Sequence, residues 1–471
     1  MDSCRLQALL SIQRKHGGGK MEQFDIIIVG GGVSGCCAAL AAARQGASVL
    51  VAERDGYLGG ALTGCGVGPM MTFHAGGKQV IRGIMEELVA GLVRRGQSPG
   101  HVPDTKQYCS TVTPFDAEGL KLLLDEKLRQ AGCRVLFHTF LGAVEAAGNE
   151  ITAITICNKD GLTKLSSKVY IDATGDGDLA MWAGAPMTKG RPEDGAAQPM
   201  TMKMKYCNVD TARLKQYVLG HPELFPALAP HLDLFRRDIP FDLEGFDREF
   251  NAEKAAGRLS IRRENVLMFG TGHPGEYIIN TTRIIGHDAT DAWSLSNAEF
   301  EGRRQCAELD SFLRTYVPGF EKALLEFTGP TVGVRGSRQL VGQYTLTAQD
   351  ILERTAFPDT IAHSAYPIDI HNPSGEGTAS TFMSKRGTYY SIPYGVLYCP
   401  ELRNLLVTGR CVSASFEAQA AIRTTPTVGA LGQAAGIAAA LAAQTGVTVA
   451  DVDKSRLRQL LREQDAYLDE V

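Results

Sequence analysis

The sequence lacks the cysteine spacing of a metal or redox site and the long apolar run of a membrane helix. None of its eleven cysteines forms a C-x-x-C pair, which gives little support to a zinc cluster or a disulfide scaffold and favours reduced thiols in a cytoplasmic protein. The longest apolar run, Ala434–Ala443, is mostly alanine, and a bilayer span needs about 20 residues. The sequence therefore predicts no membrane helix and no metal site.

The sequence also lacks an excess of one charge. Lys and Arg number 48, Asp and Glu number 52, and the formal net charge is −4, so nothing provides the basic surface that nucleic acids require. There are 20 prolines but no Gly-X-Y period, which excludes collagen and low complexity. What the chain has in excess is glycine, 52 of 471 residues against a usual share of about 7%. Many positions must therefore need left-handed turns or close backbone approaches.

One stretch predicts a β-turn-α-β unit near the N-terminus. Phe24–Val29 (FDIIIV) is a short run whose apolar residues after Asp25 are continuous, which is typical of a strand buried on both faces of a parallel sheet. A glycine loop follows, then an alanine-rich helix predicted over Cys36–Gln45 and a second strand over Ala47–Ala52. The unit spans about 30 residues, the usual size for such a motif.

The loop of this unit fits the dinucleotide-binding pattern G-x-G-x-x-G. Gly30 permits the tight turn, Gly32 lets a pyrophosphate approach the backbone, and Gly35 lets the helix pack close to the strand. Glu53 ends the second strand, where a carboxylate accepts a hydrogen bond from a ribose 2′-hydroxyl. A second match at 270–275 is interrupted by Pro274 and precedes a strand rather than a helix, so it receives little weight.

Three further elements favour FAD over NAD as the dinucleotide. Gly59-Gly60 follow soon after Glu53, Ala173–Asp178 end a later strand, and Thr408–Arg410 end a strand near the C-terminus. Nucleotide-binding motifs therefore lie on both sides of an inserted segment. The predicted cofactor-binding residues are Gly30, Gly32, Ser34, Gly35, Glu53, Arg54, Gly59, Gly60, Thr63, Ala173, Thr174, Gly175, Asp176, Gly409, Arg410, Gly429, Leu431, Gly432 and Gln433.

The same reading predicts an α/β fold with two domains. A Rossmann-like FAD-binding domain takes residues 21–195 and 401–471, and an inserted α+β substrate or cap domain takes residues 196–400. Residues 1–20 are predicted to be a flexible extension. No internal repeat is present.

Several segments together resemble a known family. The stretch from Asp25 to Thr63 resembles the opening of flavoproteins of the glutathione-reductase and fumarate-reductase superfamily. VYIDATGDGDLAMWAGAP and GVRGSRQLVGQYTLTAQDI resemble, more specifically, the bacterial FAD-dependent oxidoreductase family. The resemblance covers residues 24 to 470. It implies that the Rossmann-like domain is of the glutathione-reductase type and that FAD binds non-covalently with its ring at a domain interface. Family members often carry an acidic residue where this chain has Gly336, so Arg335 needs another partner here.

Six residues are predicted on the substrate side of the flavin: His74, Tyr390, Tyr394, His371, Arg338 and Arg423. For His74 a proton donor and a structural histidine are equally favoured, and for His371 the structural role is favoured. The tyrosines could be acids, stacking groups or core residues. Arg423 could pair with a substrate carboxylate or with Glu417. For Arg338 the alternative to a substrate contact is a buried salt bridge. A helix beginning near Gly429 is predicted to aim its positive end at the ring.

Two absences bear on the electron partner. No C-x-x-x-x-C pair follows the first helix, and no second credible dinucleotide motif occurs. We therefore expect electrons to be exchanged with a second small molecule, a quinone or a partner protein. The main prediction is an FAD-dependent dehydrogenase or reductase of a small organic substrate, an anionic one being an option. The alternatives are a flavin monooxygenase, or a flavoprotein subunit of a redox or RNA-modification complex. Homo-oligomerisation is left open.

Overall fold

The computed structural model describes residues 23–381 and 387–469, and the predicted extension 1–20 lies outside these residues. The strands are β1 (Gln23–Val29), β2 (Val49–Ala52), β3 (Met70–Met71), β4 (His74–Ala75), β5 (Lys78–Gln79), β6 (Val102–Pro103), β7 (Thr111–Thr113), β8 (Arg134–Leu136), β9 (Phe140–Ala147), β10 (Glu150–Asn158), β11 (Gly161–Asp172), β12 (Met187–Lys189), β13 (Met204–Cys207), β14 (Asp242–Gly245), β15 (Val266–Gly270), β16 (Tyr277–Ile279), β17 (Leu324–Thr328), β18 (Arg338–Leu340), β19 (Thr360–Ser364), β20 (Ile368–His371), β21 (Thr378–Thr381), β22 (Tyr390–Pro393) and β23 (Leu405–Val407). The α-helices are α1 (Val33–Arg44), α2 (Ala61–Gly64), α3 (Ile84–Arg94), α4 (Ala117–Gln130), α5 (Asp178–Trp182), α6 (Thr211–Gly220), α7 (Leu232–Phe235), α8 (Asp247–Ala255), α9 (Ala292–Tyr316), α10 (Ala348–Glu353), α11 (Phe416–Ile422), α12 (Thr425–Thr445) and α13 (Lys454–Glu463).

A parallel sheet of order β8-β2-β1-β11-β23 forms the centre of the fold. Because side chains alternate along a strand, Ile26 and Ile28 of β1 face a helical core, whereas Ile27 and Val29 face the opposite side. Helices α1, α3, α4 and α12 cover the first face, and the antiparallel ladder β9-β10-β11 covers the second. The continuous apolar run of β1 thus reflects burial on both faces.

Helices α1 and α12 pack backbone against backbone. A Cβ atom on Gly432 would lie 2.1 Å from the carbonyl oxygen of Ser34, and one on Gly436 would lie 2.1 Å from that of Ala38. Only glycine permits this approach. Among the described helices, α12 is long and apolar enough to cross a bilayer, but 89% of its most apolar window is buried inside the protein.

A second hydrophobic core lies on an antiparallel sheet of order β14-β15-β16-β13-β17. It draws its residues from Met200 to Val332, including the buried face of α9. The segment from Leu346 to Tyr398 packs into the first core instead. This division differs from the predicted boundary at residue 400, because β19 and β22 cover the helical layer after the chain has left the second core.

Two helices begin earlier than the sequence predicted. Helix α1 begins at Val33 rather than Cys36, with Gly32 in an extended conformation at its N-cap. Helix α12 begins at Thr425 rather than Gly429, and Pro426 lies in its first turn, where the fixed φ of proline suits a helix start. Both helix N-termini therefore lie closer to the end of the central sheet than expected.

Gly436→Ala tests the backbone contact between α1 and α12. The added methyl group would overlap the Ala38 carbonyl oxygen, so we expect the free energy of unfolding to fall by about 1–3 kcal/mol, measured by urea unfolding followed by circular dichroism. The matched control is Gly220→Ala at the end of α6, where an added Cβ meets nothing within 4 Å. This control should be neutral or slightly stabilising. Equal stability of the two variants would contradict the packing argument.

Candidate active site

A cavity of about 470 Å³ is lined by residues from both cores. One part of its wall comes from the glycine loop and the ends of β2, β11 and β23. Another part comes from the second sheet, from β20 and from the start of α12. The predicted residues that line it are Gly30, Gly32, Ser34, Glu53, Arg54, Gly59, Gly60, Ala173, Thr174, Gly175, His371, Gly409, Arg410 and Arg423.

The three motif glycines have different roles in the turn between β1 and α1. Gly30 has φ +106°, and a Cβ there would lie 2.3 Å from the Ala173 carbonyl oxygen. A Cβ on Gly35 would lie 2.0 Å from the Gly30 carbonyl oxygen. At Gly32, by contrast, the added Cβ would meet only Gly60 Cα, at 3.9 Å. Gly30 and Gly35 are therefore required by the fold, whereas Gly32 leaves open space on the cavity wall.

Glu53 is held by the loop that it faces. Its Oε2 accepts a hydrogen bond from the Gly31 amide at 2.5 Å, and its Oε1 accepts one from the Asp55 amide at 2.8 Å. Burial raises the pKa of this carboxyl group, against the effect of the two amide donors. Each oxygen keeps further acceptor capacity, so the side chain can also receive a ribose hydroxyl group from the cavity.

Arg410 presents an unused donor at the same cavity. Its Nη2 donates to Asp176 Oδ1 at 2.7 Å, and Gly175 lies close under the guanidinium group. Its buried Nε has no acceptor in residues 23–381 and 387–469. A buried donor that lacks a protein acceptor is suited to an anionic ligand. Together with the space at Gly32, this donor fits the pyrophosphate of a dinucleotide.

Three cationic side chains lie on the wall contributed by the second core and the segments after it. Lys203, Arg335 and Arg423 all line the cavity. Arg335 donates to the Pro199 carbonyl oxygen, and neither it nor Lys203 forms an ion pair with a carboxylate in the part of the chain that the structure describes. Burial and the neighbouring Arg423 lower the pKa of Arg335 well below its usual value.

Asp369 is the carboxylate that pairs with one of these cations, Arg423. Its Oδ2 lies 3.3 Å from the Tyr366 hydroxyl oxygen, 3.3 Å from His371 Nε2 and 3.6 Å from Arg423 Nη2. Burial alone would raise the pKa of Asp369, but His371 and Arg423 lower it below its usual value. Asp369 is therefore ionised and offsets a single positive charge.

The contacts of His371 define its tautomer. Its Nδ1 lies 3.1 Å from Arg283 Nη2, and because arginine only donates, Nδ1 accepts. Nε2 then carries the hydrogen and donates to Asp369. Burial and Arg335 lower the pKa of His371 to about 3, so the ring is neutral near pH 7. His371 thus adds no positive charge to the site.

Four buried polar atoms of cavity-lining residues lack partners among the described residues. Two belong to charged side chains, Arg410 Nε and Arg423 Nε, and two to uncharged ones, Asn280 Oδ1 and Thr201 Oγ1. Unpaired buried polar atoms are rare in proteins and usually meet a ligand or water. With the cations, they give this part of the cavity polar groups that the protein itself leaves unused.

Comparison with known proteins agrees with the dinucleotide end of the cavity. A family model for FAD dependent oxidoreductases matches residues 25–461. The chain belongs to the FAD-dependent oxidoreductase family. It is accordingly an enzyme whose cofactor is FAD, with a mixed α/β fold, as the sequence predicted.

Solved structures similar to this family member were also found. A geranylgeranyl bacteriochlorophyll reductase-like protein from Thermoplasma acidophilum is 13% identical over 94% of this chain and 84% of that chain, with a TM-score of 0.48. A p-nitrophenol 4-monooxygenase from Pseudomonas putida is 10% identical over the same shares, with a TM-score of 0.46. A flavin-dependent brominase is 14% identical over 94% of this chain and 83% of that chain, with a TM-score of 0.44. A comparison with curated proteins gave no match.

Seven predicted cofactor-binding residues do not line the cavity of this oxidoreductase: Gly35, Thr63, Asp176, Gly429, Leu431, Gly432 and Gln433. Thr63 donates to the Leu58 carbonyl oxygen and holds the loop, while Asp176 anchors Arg410. Gln433 Oε1 accepts from the Ile84 amide at the start of α3. Since α12 begins four residues earlier than predicted, Thr424, Thr425 and Val428 line the cavity instead.

Four predicted substrate-side residues also lie away from the cavity. The fully buried Tyr390 and Tyr394 donate to the carbonyl oxygens of Tyr366 and Val449, which makes them core residues. His74 Nδ1 lies 3.1 Å from the Thr111 hydroxyl oxygen. Arg338 forms an ion pair with Asp178 at 2.9 Å. The partner of Arg423 is Asp369, since Glu417 instead accepts from the Ser415 hydroxyl group.

The sequence reasoning missed Lys203 and Asp369, although a signal was present for each. Met200, Met202 and Met204 alternate into the second core, which places the intervening Thr201 and Lys203 on the other side of an extended segment. Along β20, Asp369 and His371 alternate in the same way. The patterns show which side chains share a face, but not that the face borders a cavity.

Gly32→Ala separates cofactor binding from folding. Because Gly32 has φ −64° and open space at its Cβ position, we expect the apoprotein to unfold at the wild-type urea concentration. FAD binding should weaken by at least about tenfold, since the methyl group occupies the approach of the pyrophosphate. Fluorescence titration of apoprotein with FAD measures the effect. Gly77→Ala, in the turn between β4 and β5 with nothing near its Cβ, is the control. Wild-type FAD affinity in Gly32→Ala would contradict this assignment.

Proposed function

We propose that this protein is an FAD-dependent dehydrogenase or reductase that transfers a hydride between the flavin and a small anionic organic substrate. The observation that carries the proposal is the set of three cationic side chains at the cavity, Lys203, Arg335 and Arg423. Among the described residues only Arg423 is paired with a carboxylate, that of Asp369.

The charge balance of this set favours an anionic ligand. Arginine keeps its proton at any pH at which the protein is folded, so burial of Arg335 and Arg423 leaves positive charge that must be offset. Asp369 offsets one charge, and a buried charge without a partner costs several kcal/mol. A substrate carboxylate between the guanidinium groups would supply the missing negative charge and accept paired hydrogen bonds.

FAD supplies the hydride acceptor or donor for this chemistry. The residues of the chain bind and orient the substrate and control its charge. Arg335 and Arg423 are available to hold a carboxylate, and Asn280 and Thr201 offer polar atoms for further contacts. The N-terminus of α12 lines the same cavity at Thr425 and Val428, so its positive end favours negative charge developing nearby.

The finer predictions from the sequence belong to the same proposal. They are a glutathione-reductase type of FAD-binding domain, a bacterial source, a cytoplasmic location and an electron partner that is a second small molecule, a quinone or a protein. The glutathione-reductase type is supported by the parallel sheet and by the fact that N-terminal and C-terminal segments of the chain line one cavity.

A screen of flavin bleaching tests the proposed function. Purified protein loaded with FAD is mixed anaerobically with small carboxylates and with their neutral amides or esters, and flavin absorbance is followed. We expect bleaching, or reoxidation of photoreduced flavin, by members of the carboxylate set and little response to the neutral isosteres. A substrate-dependent hydroxylated product formed with oxygen would instead indicate the monooxygenase alternative.

Arg423→Gln tests the binding of negative charge. Loss of one charge-assisted hydrogen bond costs about 1.5–3 kcal/mol, so carboxylate binding, followed by perturbation of the flavin spectrum, should weaken about ten- to hundredfold. FAD content should stay at the wild-type level. Arg213→Gln, at an exposed arginine paired with Glu321, is the control. Unchanged carboxylate affinity in Arg423→Gln would contradict the proposed binding mode.

A further inference from the structure

Lys203 is the one amine among the three cations of this cluster, and no carboxylate of the described residues forms an ion pair with it. Its side chain is 8% exposed and lines the cavity. It precedes β13 on an extended segment, and its backbone carbonyl oxygen accepts from the Gly329 amide. A Cβ on Gly66, in the segment between α2 and β3, would lie 3.4 Å from Lys203 Cβ. The lysine therefore lies where this segment meets the second core.

The groups that face Lys203 come from several elements and are mostly cationic. Its ammonium group has three charged neighbours, Arg335, Arg423 and Arg263. The Cys65 thiol, at the C-terminal end of α2, is also near it. Asp369, the carboxylate of this cluster, is engaged with Tyr366, His371 and Arg423. Glu244, behind Arg263, is paired with Lys106. No carboxylate in the described ranges is left to pair with Lys203.

Lysine differs chemically from its neighbours in this position. Guanidinium groups do not release a proton near neutral pH, whereas a lysine amine does so when it is buried among cations. Burial and Arg335 lower the pKa of Lys203 to about 7. The other titratable groups nearby do not change protonation near pH 7, because His371 has a pKa of about 3 and burial raises the pKa values of Tyr366 and Cys65.

We propose that Lys203 is the acid–base group of the substrate site, and that its amine takes up one proton from solvent as the carboxylate of the substrate binds. This inference rests on the proposed function, since it requires an anionic substrate. The step is balanced: one proton leaves the buffer acid and forms one N–H bond on Lys203, while the substrate enters as an anion. The bound site then holds a proton that the free site lacks.

The direction of the pH dependence follows from this linkage. Below pH 7 the amine of the free protein is already protonated, so carboxylate affinity should not vary with pH. Above pH 7 binding requires proton uptake, so the Kd should rise about tenfold per pH unit until the pKa of the complex is reached. Near pH 8 the uptake should approach one proton per site.

Calorimetry on the FAD-loaded protein measures the proton directly. Acetate and oxalate, both ionised at either pH, are titrated into the protein at pH 6 and at pH 8. The pH 6 titrations use bis-Tris and imidazole and the pH 8 titrations use Tris and triethanolamine, so each pair consists of cationic buffers that carry no competing carboxylate and differ in their heats of ionisation. The dependence of the binding heat on the buffer gives the protons taken up. We expect almost none at pH 6 and close to one at pH 8. The readout needs no turnover.

Two substitutions at Lys203 make the assignment specific. Lys203→Arg keeps the positive charge but does not titrate near pH 7. Carboxylate affinity should then not depend on pH, and the binding heat should show no proton uptake from the buffer. Lys203→Met removes both, so binding should be weaker and again free of proton uptake. FAD content and the unfolding midpoint establish that each variant is folded. The matched control is Lys205→Arg, two residues along, where the lysine is paired with Glu276 and Glu326; this variant should take up the proton as wild type does.

The outcomes separate the two proposals. If neither carboxylate binds at pH 6, where every cation of the cluster is charged, the proposed function is overturned. If the carboxylates bind but wild type takes up no proton at pH 8, or if Lys203→Arg and Lys203→Met still take one up, only the role of Lys203 is overturned.

Discussion

The site depends on one contact, the close approach of α1 and α12. Their backbones meet at Gly432 and Gly436, roughly 400 residues away in the chain from Ser34 and Ala38. Side chains at these glycines would separate the helices to the usual 8–10 Å between axes. Because α1 starts at the glycine loop and α12 starts at Thr425, the contact brings two helix N-termini to the same cavity. Two positive helix ends at one cavity suit a cofactor that carries phosphates and a ring that gains electrons.

The part of the site that the sequence predicts well is the part fixed by local sterics. At Gly30 and Gly35 a side chain would overlap backbone atoms of the adjacent strand and turn. The spacing of these glycines is therefore enough to predict the turn. Glu53 follows from its place at the end of β2. The start of α12 was misplaced because its alanine-rich face gave no boundary, although Thr424, Thr425 and Pro426 form a recognisable helix start. A local signal existed there and was overlooked.

The substrate side could not be predicted in the same way, because distant segments determine what each side chain meets. Tyr390 and Tyr394 have the chemistry of catalytic groups, but backbone carbonyl oxygens already accept their hydroxyl hydrogens. Lys203 belongs to no recognisable sequence motif. What distinguishes it is its position near guanidinium groups from residues 263, 335 and 423, which are far away in the sequence. Alternation identified the face on which it lies, and the tertiary fold decided that this face borders the cavity.

In the proposed function, charge more than shape determines which substrates the cavity holds. A neutral substrate of the same size would leave Arg335 without a carboxylate partner and the buried polar atoms of Asn280 and Thr201 without hydrogen-bond partners. The penalty for such unpaired groups exceeds the few kcal/mol by which a methylene group is recognised. Asp369 strengthens this selection, since it holds Arg423 and the neutral His371 in place and offsets only one charge. Under this proposal the folded protein carries the electrostatic cost of the cationic cluster before the substrate arrives, and an anionic substrate offsets that cost on binding.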